Sequence, residues 1–256
     1  MNRFITYKEL RKFAYSNDEL IKGKIEGVVF EFTGASICQM YHEHTIRGKF
    51  YASRNVLYVI PYYNPWAYMN APAVKFVDEI CDVLFEHYGL SENTPIASTG
   101  GSMGGLGAIL YTARGKRTPK ICVANCPVCD LVFQVKNKVN TPRSAYSAFF
   151  YEEGDFLDVL KKYSPIDIID ELPKETEYFL FHGDNDEAVN YTAHSKRMYE
   201  KMLEKGYNVR FTLCKGRSHS QVLIDSDVPQ KENILRCFGL DFSGVYNEYT
   251  DSDRLV

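Results

Sequence analysis

Six short apolar runs, each bounded by Gly, Pro or polar residues and separated by stretches with helical periodicity, constrain this chain more than any other feature. Val28-Val29-Phe30-Glu31-Phe32 and Val56-Leu57-Tyr58-Val59-Ile60 are rich in β-branched and aromatic side chains and read as buried strands. Similar runs follow at residues 95–98, 121–124, 178–181 and 209–213. Helical spacing of apolar residues marks 44–52, 73–88, 106–113 and 193–205, the last with Tyr191, His194, Met198 and Met202 at turn intervals. Strands that alternate with helices predict a mostly parallel sheet with helices on both faces, an α/β architecture.

Two regions break the rhythm. Residues 1–22 read as a leading helix before the sheet begins. Residues 130–165 mix polar side chains with Phe133, Tyr146, Phe149, Phe150, Tyr151, Phe156 and Tyr163 between two strand signals, the pattern of a small inserted cap. With 256 residues, 45% hydrophobic and 25% charged, the chain is expected to form one domain with that insertion.

The net charge of -3 comes from interspersed acids and bases, with no basic run to neutralise a phosphate backbone, so nucleic acid is not an expected partner. No apolar stretch is long enough for a signal-peptide core or a membrane span, and a cytoplasmic protein is expected. A chain from which a leader had been cleaved would read the same way. The seven cysteines, Cys38, Cys81, Cys122, Cys126, Cys129, Cys214 and Cys237, are odd in number and scattered, which favours free thiols. Cys126 and Cys129 form a C-x-x-C without a second pair or a suitably spaced histidine, so no metal site is expected.

The chemistry concentrates in Ser98-Thr99-Gly100-Gly101-Ser102-Met103-Gly104-Gly105, between a strand run and a helix run. A serine on so tight a strand-to-helix turn sits in strained backbone, and flanking glycines remove side chains that would strike the neighbouring strand and helix. The hydroxyl is then exposed, with the Met103 N–H at the start of the helix beside it. The other common use of such a loop is a phosphate cradle, but it lacks the lysine and the glycine spacing that cradle requires. A purely structural turn is the remaining alternative.

A serine nucleophile needs a base and a carboxylate to orient that base. His182-Gly183-Asp184-Asn185-Asp186-Glu187 follows one strand run, and Gly216-Arg217-Ser218-His219 follows the last. Asp184, Asp186 and Glu187 compete for the acid. Of the histidines, His219 lies after the final strand, whereas His42 and His44 precede the serine, His87 and His194 fall within helices, and His182 reads as packing at a strand end.

These motifs and the strand order resemble the α/β-hydrolase superfamily over about residues 24–238, and the Gly-Gly-Ser-Met-Gly-Gly elbow is similar to that of its esterases and prolyl-oligopeptidase-like members. The resemblance implies an α/β-hydrolase fold and hydrolysis through an acyl-enzyme without cofactor or metal. It assigns Ser102 as nucleophile, His219 as base and, through the turn H-G-x-x-D-x-x-V, Asp186 as the acid. The oxyanion would be held by the backbone N–H groups of Met103 and Ala35. Here the chain departs from the family, since Thr33-Gly34-Ala35-Ser36 stands where many esterases carry His-Gly. Trp66 and Tyr63, in a Pro-rich aromatic turn, and Phe149 and Tyr151 of the cap are expected to wall the pocket. A small carboxylic ester is the preferred substrate, because no segment resembles the N-terminal propeller of prolyl oligopeptidases. The alternatives are an aminoacyl or peptide amide and a non-catalytic binding protein on a hydrolase scaffold.

Overall fold

The computed structural model describes residues 4–35 and 40–250, so Ser36 and Cys38 lie outside the described residues. Seven strands among the described residues form one sheet: β1 Ala14–Ser16, β2 Gly27–Phe32, β3 Val56–Pro61, β4 Ile96–Gly101, β5 Ile121–Asn125, β6 Glu177–Gly183 and β7 Val209–Cys214. The order is β1-β3-β2-β4-β5-β6-β7, with β1 antiparallel to β3 and every other pair parallel. The helices are α1 Ile46–Ala52, α2 Ala71–Tyr88, α3 Met103–Arg114, α4 Leu131–Asn137, α5 Thr141–Phe149, α6 Phe156–Lys162, α7 Arg197–Glu204, α8 His219–Asp225 and α9 Asp227–Cys237.

Strands β2 to β6 are buried on both faces while β7 is partly exposed, and side-chain alternation sorts the core into two layers. Val28, Phe30 and Phe32 of β2 pack with Val77, Ile80 and Leu84 of α2, Leu106 and Ile109 of α3, and Met198 and Met202 of α7. Val29 points the other way, into a layer with Phe50 and Tyr51 of α1, Val222 of α8, and Ile234 and Leu235 of α9. This is the three-layer α/β-hydrolase arrangement that the sequence predicts.

The leading helix does not form. Residues 7–12 and 18–20 make short 3-10 turns, and between them β1 pairs with β3. The reason is tertiary: Asn17, fully buried, donates to the carbonyls of Gly48 and Val56 and accepts the Tyr58 N–H at 2.7 Å, which ties this segment to the sheet edge. Helix α2 begins two residues before its expected start, because Asn70 caps the Ala73 N–H at 3.1 Å with Pro72 in the first turn, and it ends on Gly89 at φ 59°.

The order of strands locates the site. From β2 the chain crosses outward to β3, then returns to β4 on the opposite side of β2, so connections leave adjacent strands β2 and β4 in opposite directions. A crevice opens at the carboxyl ends of strands at such a switch point. Residues 33–35 follow β2 there and Ser102 follows β4. Between β5 and β6 the chain forms α4, α5 and α6. No helix among the described residues is long and apolar enough to cross a membrane.

Candidate active site

Ser102 has φ 58° and ψ -121°, a conformation that costs an L residue on the order of 1–3 kcal/mol. Its N–H donates to the Asn125 carbonyl at 2.8 Å and its carbonyl accepts the Val128 N–H at 3.3 Å, so the end of β5 holds the turn. The glycines serve close approach. A Cβ at Gly100 would lie 2.5 Å from the Gly104 carbonyl oxygen and 2.6 Å from that of Phe32, and one at Gly104 would collide with the same Phe32 oxygen. Strand β2 and helix α3 therefore meet at the elbow only because both positions lack side chains.

Asp186 lies on the loop after β6, with its side chain inaccessible to solvent. Oδ1 accepts the N–H groups of Ala188 and Val189 at 2.9 and 2.8 Å, and Oδ2 lies 2.5 Å from Nδ1 of His219 and 3.2 Å from Nε2 of His182. Burial pushes the Asp186 pKa up, but the bonds from His182, His219 and Val189 outweigh it and hold the carboxyl well below the usual range. His219 opens α8, and Gln221 accepts the N–H of Ser218 at 3.0 Å in the manner of a capping box. Asp184 has a different role. It is exposed and accepts the Gly216 N–H at 2.6 Å, which with the Asn185 N–H to the Arg217 carbonyl joins the loop after β6 to the loop before α8.

His182 does more than pack at a strand end. Its Nε2 faces two acceptors, the Val189 carbonyl at 2.9 Å and Asp186, so it must carry a proton, and Nδ1 then accepts from Ser195 Oγ at 2.5 Å. The second histidine of the pair thus donates to the same carboxylate as the first. Cys126, at φ 46°, completes a buried group in which ligand-capable atoms of Cys126, His182 and Asp186 lie within 4.8 Å of one another. Burial, then the Asp186 charge, pushes the Cys126 thiol pKa up and keeps it a protonated donor. A metal would need the thiolate and would have to displace the bonds that His182 and His219 make to Asp186, so the donor set fits a supported carboxylate better than an ion site. The six described cysteines are free, and Cys129 packs in the same loop with its thiol toward the Pro127 carbonyl.

Ser102, His219, Ala35 and Trp66 line one cavity of about 540 Å³. Met103 is not among the lining residues; it follows Ser102 as the first residue of α3, where the N–H has no helical acceptor one turn back. Other pocket expectations do not hold. Tyr63 is buried edge-on to Phe32 with its hydroxyl toward the Thr33 carbonyl, so it supports the loop after β2 from behind. Phe149 is 2% exposed and stacks on Tyr163 at 4.3 Å, docking the cap onto Tyr68. Tyr151 lies outside the cavity lining at 45% exposure. Instead the cavity draws on Glu31, Tyr41, Arg47, Asn125, Leu223 and Tyr249, none of which the motifs indicate. A charge inside the apolar run of β2 was the one signal for Glu31.

Among known proteins, a 57-residue stretch is 42% identical to acyl-protein thioesterase 1 of Neurospora crassa, spanning 22% of this chain and 23% of that protein. A puromycin-hydrolyzing peptidase of Mycobacterium tuberculosis superposes with a TM-score of 0.70 at 15% identity, over 86% of this chain and 35% of that chain. A thermophilic esterase of Thermogutta terrifontis superposes with a TM-score of 0.56 at 16% identity, over 83% and 84% of the two chains. This chain therefore spans little more than a third of the peptidase (35%) and nearly all of the esterase (84%), on a shared fold. Residues 73–236, well over half of the chain and including Ser102, Asp186 and His219, match the model of one family, and the chain belongs to the prolyl oligopeptidase family.

Proposed function

We propose that the chain is a serine hydrolase that cleaves a small carboxylic ester through an acyl-enzyme, with residues 130–165 as an insertion in a single catalytic domain. The observation that carries the reading is the His219–Asp186 pair at 2.5 Å beside a cavity that also holds the strained Ser102. With Nδ1 of His219 turned to Asp186, Nε2 is the nitrogen left to take the Ser102 proton. Ser102 Oγ attacks the carbonyl carbon as His219 accepts its proton, and the oxyanion receives the N–H groups of Met103 and Ala35. Collapse expels the alcohol, protonated by His219, and water repeats the sequence to release the acid. No step calls for a metal or cofactor.

The thioesterase and esterase among the relatives act, by name, on acyl bonds to sulfur and oxygen, which supports ester chemistry, and the cavity has the size of a small-molecule site. The peptidase neighbour keeps an aminoacyl amide as the second reading. The test is to label the protein with a fluorophosphonate, map the adduct, and compare esters with aminoacyl amides. Ser102→Ala should stay folded by circular dichroism and lose activity by at least about a thousandfold. Labelling of another serine, or turnover that survives the substitution, removes Ser102 from the mechanism.

A further inference from the structure

The catalytic cavity has a polar side that the acyl transfer described above does not use, lined by Glu31, Arg47, Asn125 and Gln230. Its charges are arranged unequally. Arg47 Nη1 lies 2.6 Å from Glu31 Oε2, and Nη2 lies 2.8 Å from Asp227 Oδ1 and 2.5 Å from Glu248 Oε1, so both terminal nitrogens already face carboxylates. Lys231, fully buried, is bonded to Asp227 and to the Tyr246 carbonyl. Three carboxylates thus share two cations.

Of this group it is a carboxylate that meets the cavity most openly. The Glu31 side chain is 23% exposed against 10% for Arg47. Its Oε2 accepts both Arg47 and, at 2.6 Å, the Tyr58 hydroxyl, while Oε1 has no hydrogen-bond donor among the described residues. A second observation points the same way. Asn125, 5% exposed on the cavity wall, donates Nδ2 to Gln230 at 2.7 Å, and its Oδ1 has no hydrogen-bond partner among the described residues. The Asn125 carbonyl holds the Ser102 N–H, so this acceptor belongs to the residue that braces the elbow. Two acceptors beside a surplus of negative charge call for a cationic donor and repel an anion.

We propose that the substrate carries a protonated amine, received by Glu31 and Asn125 while its carbonyl lies at Ser102. The inference rests on the reading of Ser102 as nucleophile and narrows it to ammonium-bearing acyl derivatives. It also makes Glu31 a specificity-determining residue.

The experiment uses the intact protein and isosteric substrates: alanyl and isobutyryl esters of one phenol, and acetates of aminopropanol and butanol. In one of the two pairs the amine should raise kcat/KM by roughly 10- to 100-fold, the range of a hydrogen bond to a charged group. The pair that responds tells whether the amine belongs to the acyl or the alcohol part. Glu31→Gln should pull that ratio toward one. Equal rates within both pairs, or a ratio untouched by the substitution, would overturn the proposal. Because Glu31 also anchors Arg47 and Tyr58, a measurement without any variant runs beside it. Butylammonium should inhibit the unaltered protein competitively and at least about tenfold more tightly than butanol, and equal inhibition counts against the amine. Fluorophosphonate labelling keeps the two readings apart, since a labelled Ser102 with no amine preference sinks only this inference, whereas an unlabelled Ser102 sinks the triad.

Discussion

At the scale of single residues, the two aspartates of the loop after β6 separate by what they touch. Asp186 receives both imidazoles and two backbone N–H groups, while Asp184 receives the Gly216 N–H on the surface. Asp186→Asn would offer an amide where Nδ1 needs an acceptor, so kcat should fall by roughly 10⁴-fold if the wrong imidazole tautomer is the cause. Asp184→Asn keeps an oxygen for Gly216 and should change kcat by less than about tenfold, with its cost of about 1 kcal/mol read in stability. Steady-state kinetics on both variants check the ranking, and the reverse order would transfer the acid to Asp184. The same contacts give Asp186 a signed pH effect. Its folded pKa is depressed, so its contribution to stability is complete above the unfolded carboxylate range and is lost as pH falls below about 4 toward the folded value.

At the scale of elements, α7 is entered through a π-helical turn, Thr192–Lys196, which buries His194 completely. Nδ1 of His194 accepts the N–H groups of Cys129 and Asp130 at 3.0 and 3.1 Å, and Nε2 faces Gln134 Oε1 at 3.2 Å. The ring is therefore neutral and clamps the entrance to the cap. Burial lowers its pKa from 6.5 to about 4, so the unfolded chain takes up a proton before the native state does. Stability attributable to His194 should be intact above pH 6.5 and decline as pH falls from there toward 4. Thermal melts across that interval should slope less steeply in His194→Gln than in the parent, and parallel slopes would contradict the assignment. The cap itself is held by Phe149, and Phe149→Ala should cost about 3–5 kcal/mol of stability while leaving the ranking of short and bulky esters as it was. A shift in that ranking would show that the cap reaches the substrate after all.

At the scale of the whole molecule, Arg47 joins four distant parts of the chain: its own helix α1, Glu31 of β2, Asp227 of α9 and Glu248 beyond the last helix. Burial opposes its charge, but Glu31 and Glu248 outweigh that and raise its pKa further. Removing the cation alone leaves buried carboxylates facing one another, so Arg47→Met should destabilise by about 3–5 kcal/mol, measured by denaturant unfolding. A loss within about 0.5 kcal/mol, ordinary for a surface substitution, would mean the network is not as closed as its distances indicate.

The local signals carried a good part of this protein. The central strand runs, buried on both faces, have no polar alternation to confuse them, so the parallel sheet and its helices were legible, and so were the serine elbow and the loops of Asp186 and His219, because tight turns demand particular residues at fixed spacing. Contacts between segments far apart in sequence left no such trace. Residues 14–16 became a strand because Asn17 binds the backbone of α1 and β3, and His182 became a partner of Asp186 because the loop after β6 folds back on its own strand. Phe149 and Tyr151 carried the composition of a pocket wall, yet the packing of Phe149 on Tyr163 and the outward position of Tyr151 removed both from the cavity. Glu31, Arg47 and Asn125 joined it from β2, α1 and β5. Backbone conformation and burial follow from neighbours along the chain, which the sequence displays, whereas the lining of a crevice is set by which distant side chains the sheet order brings together.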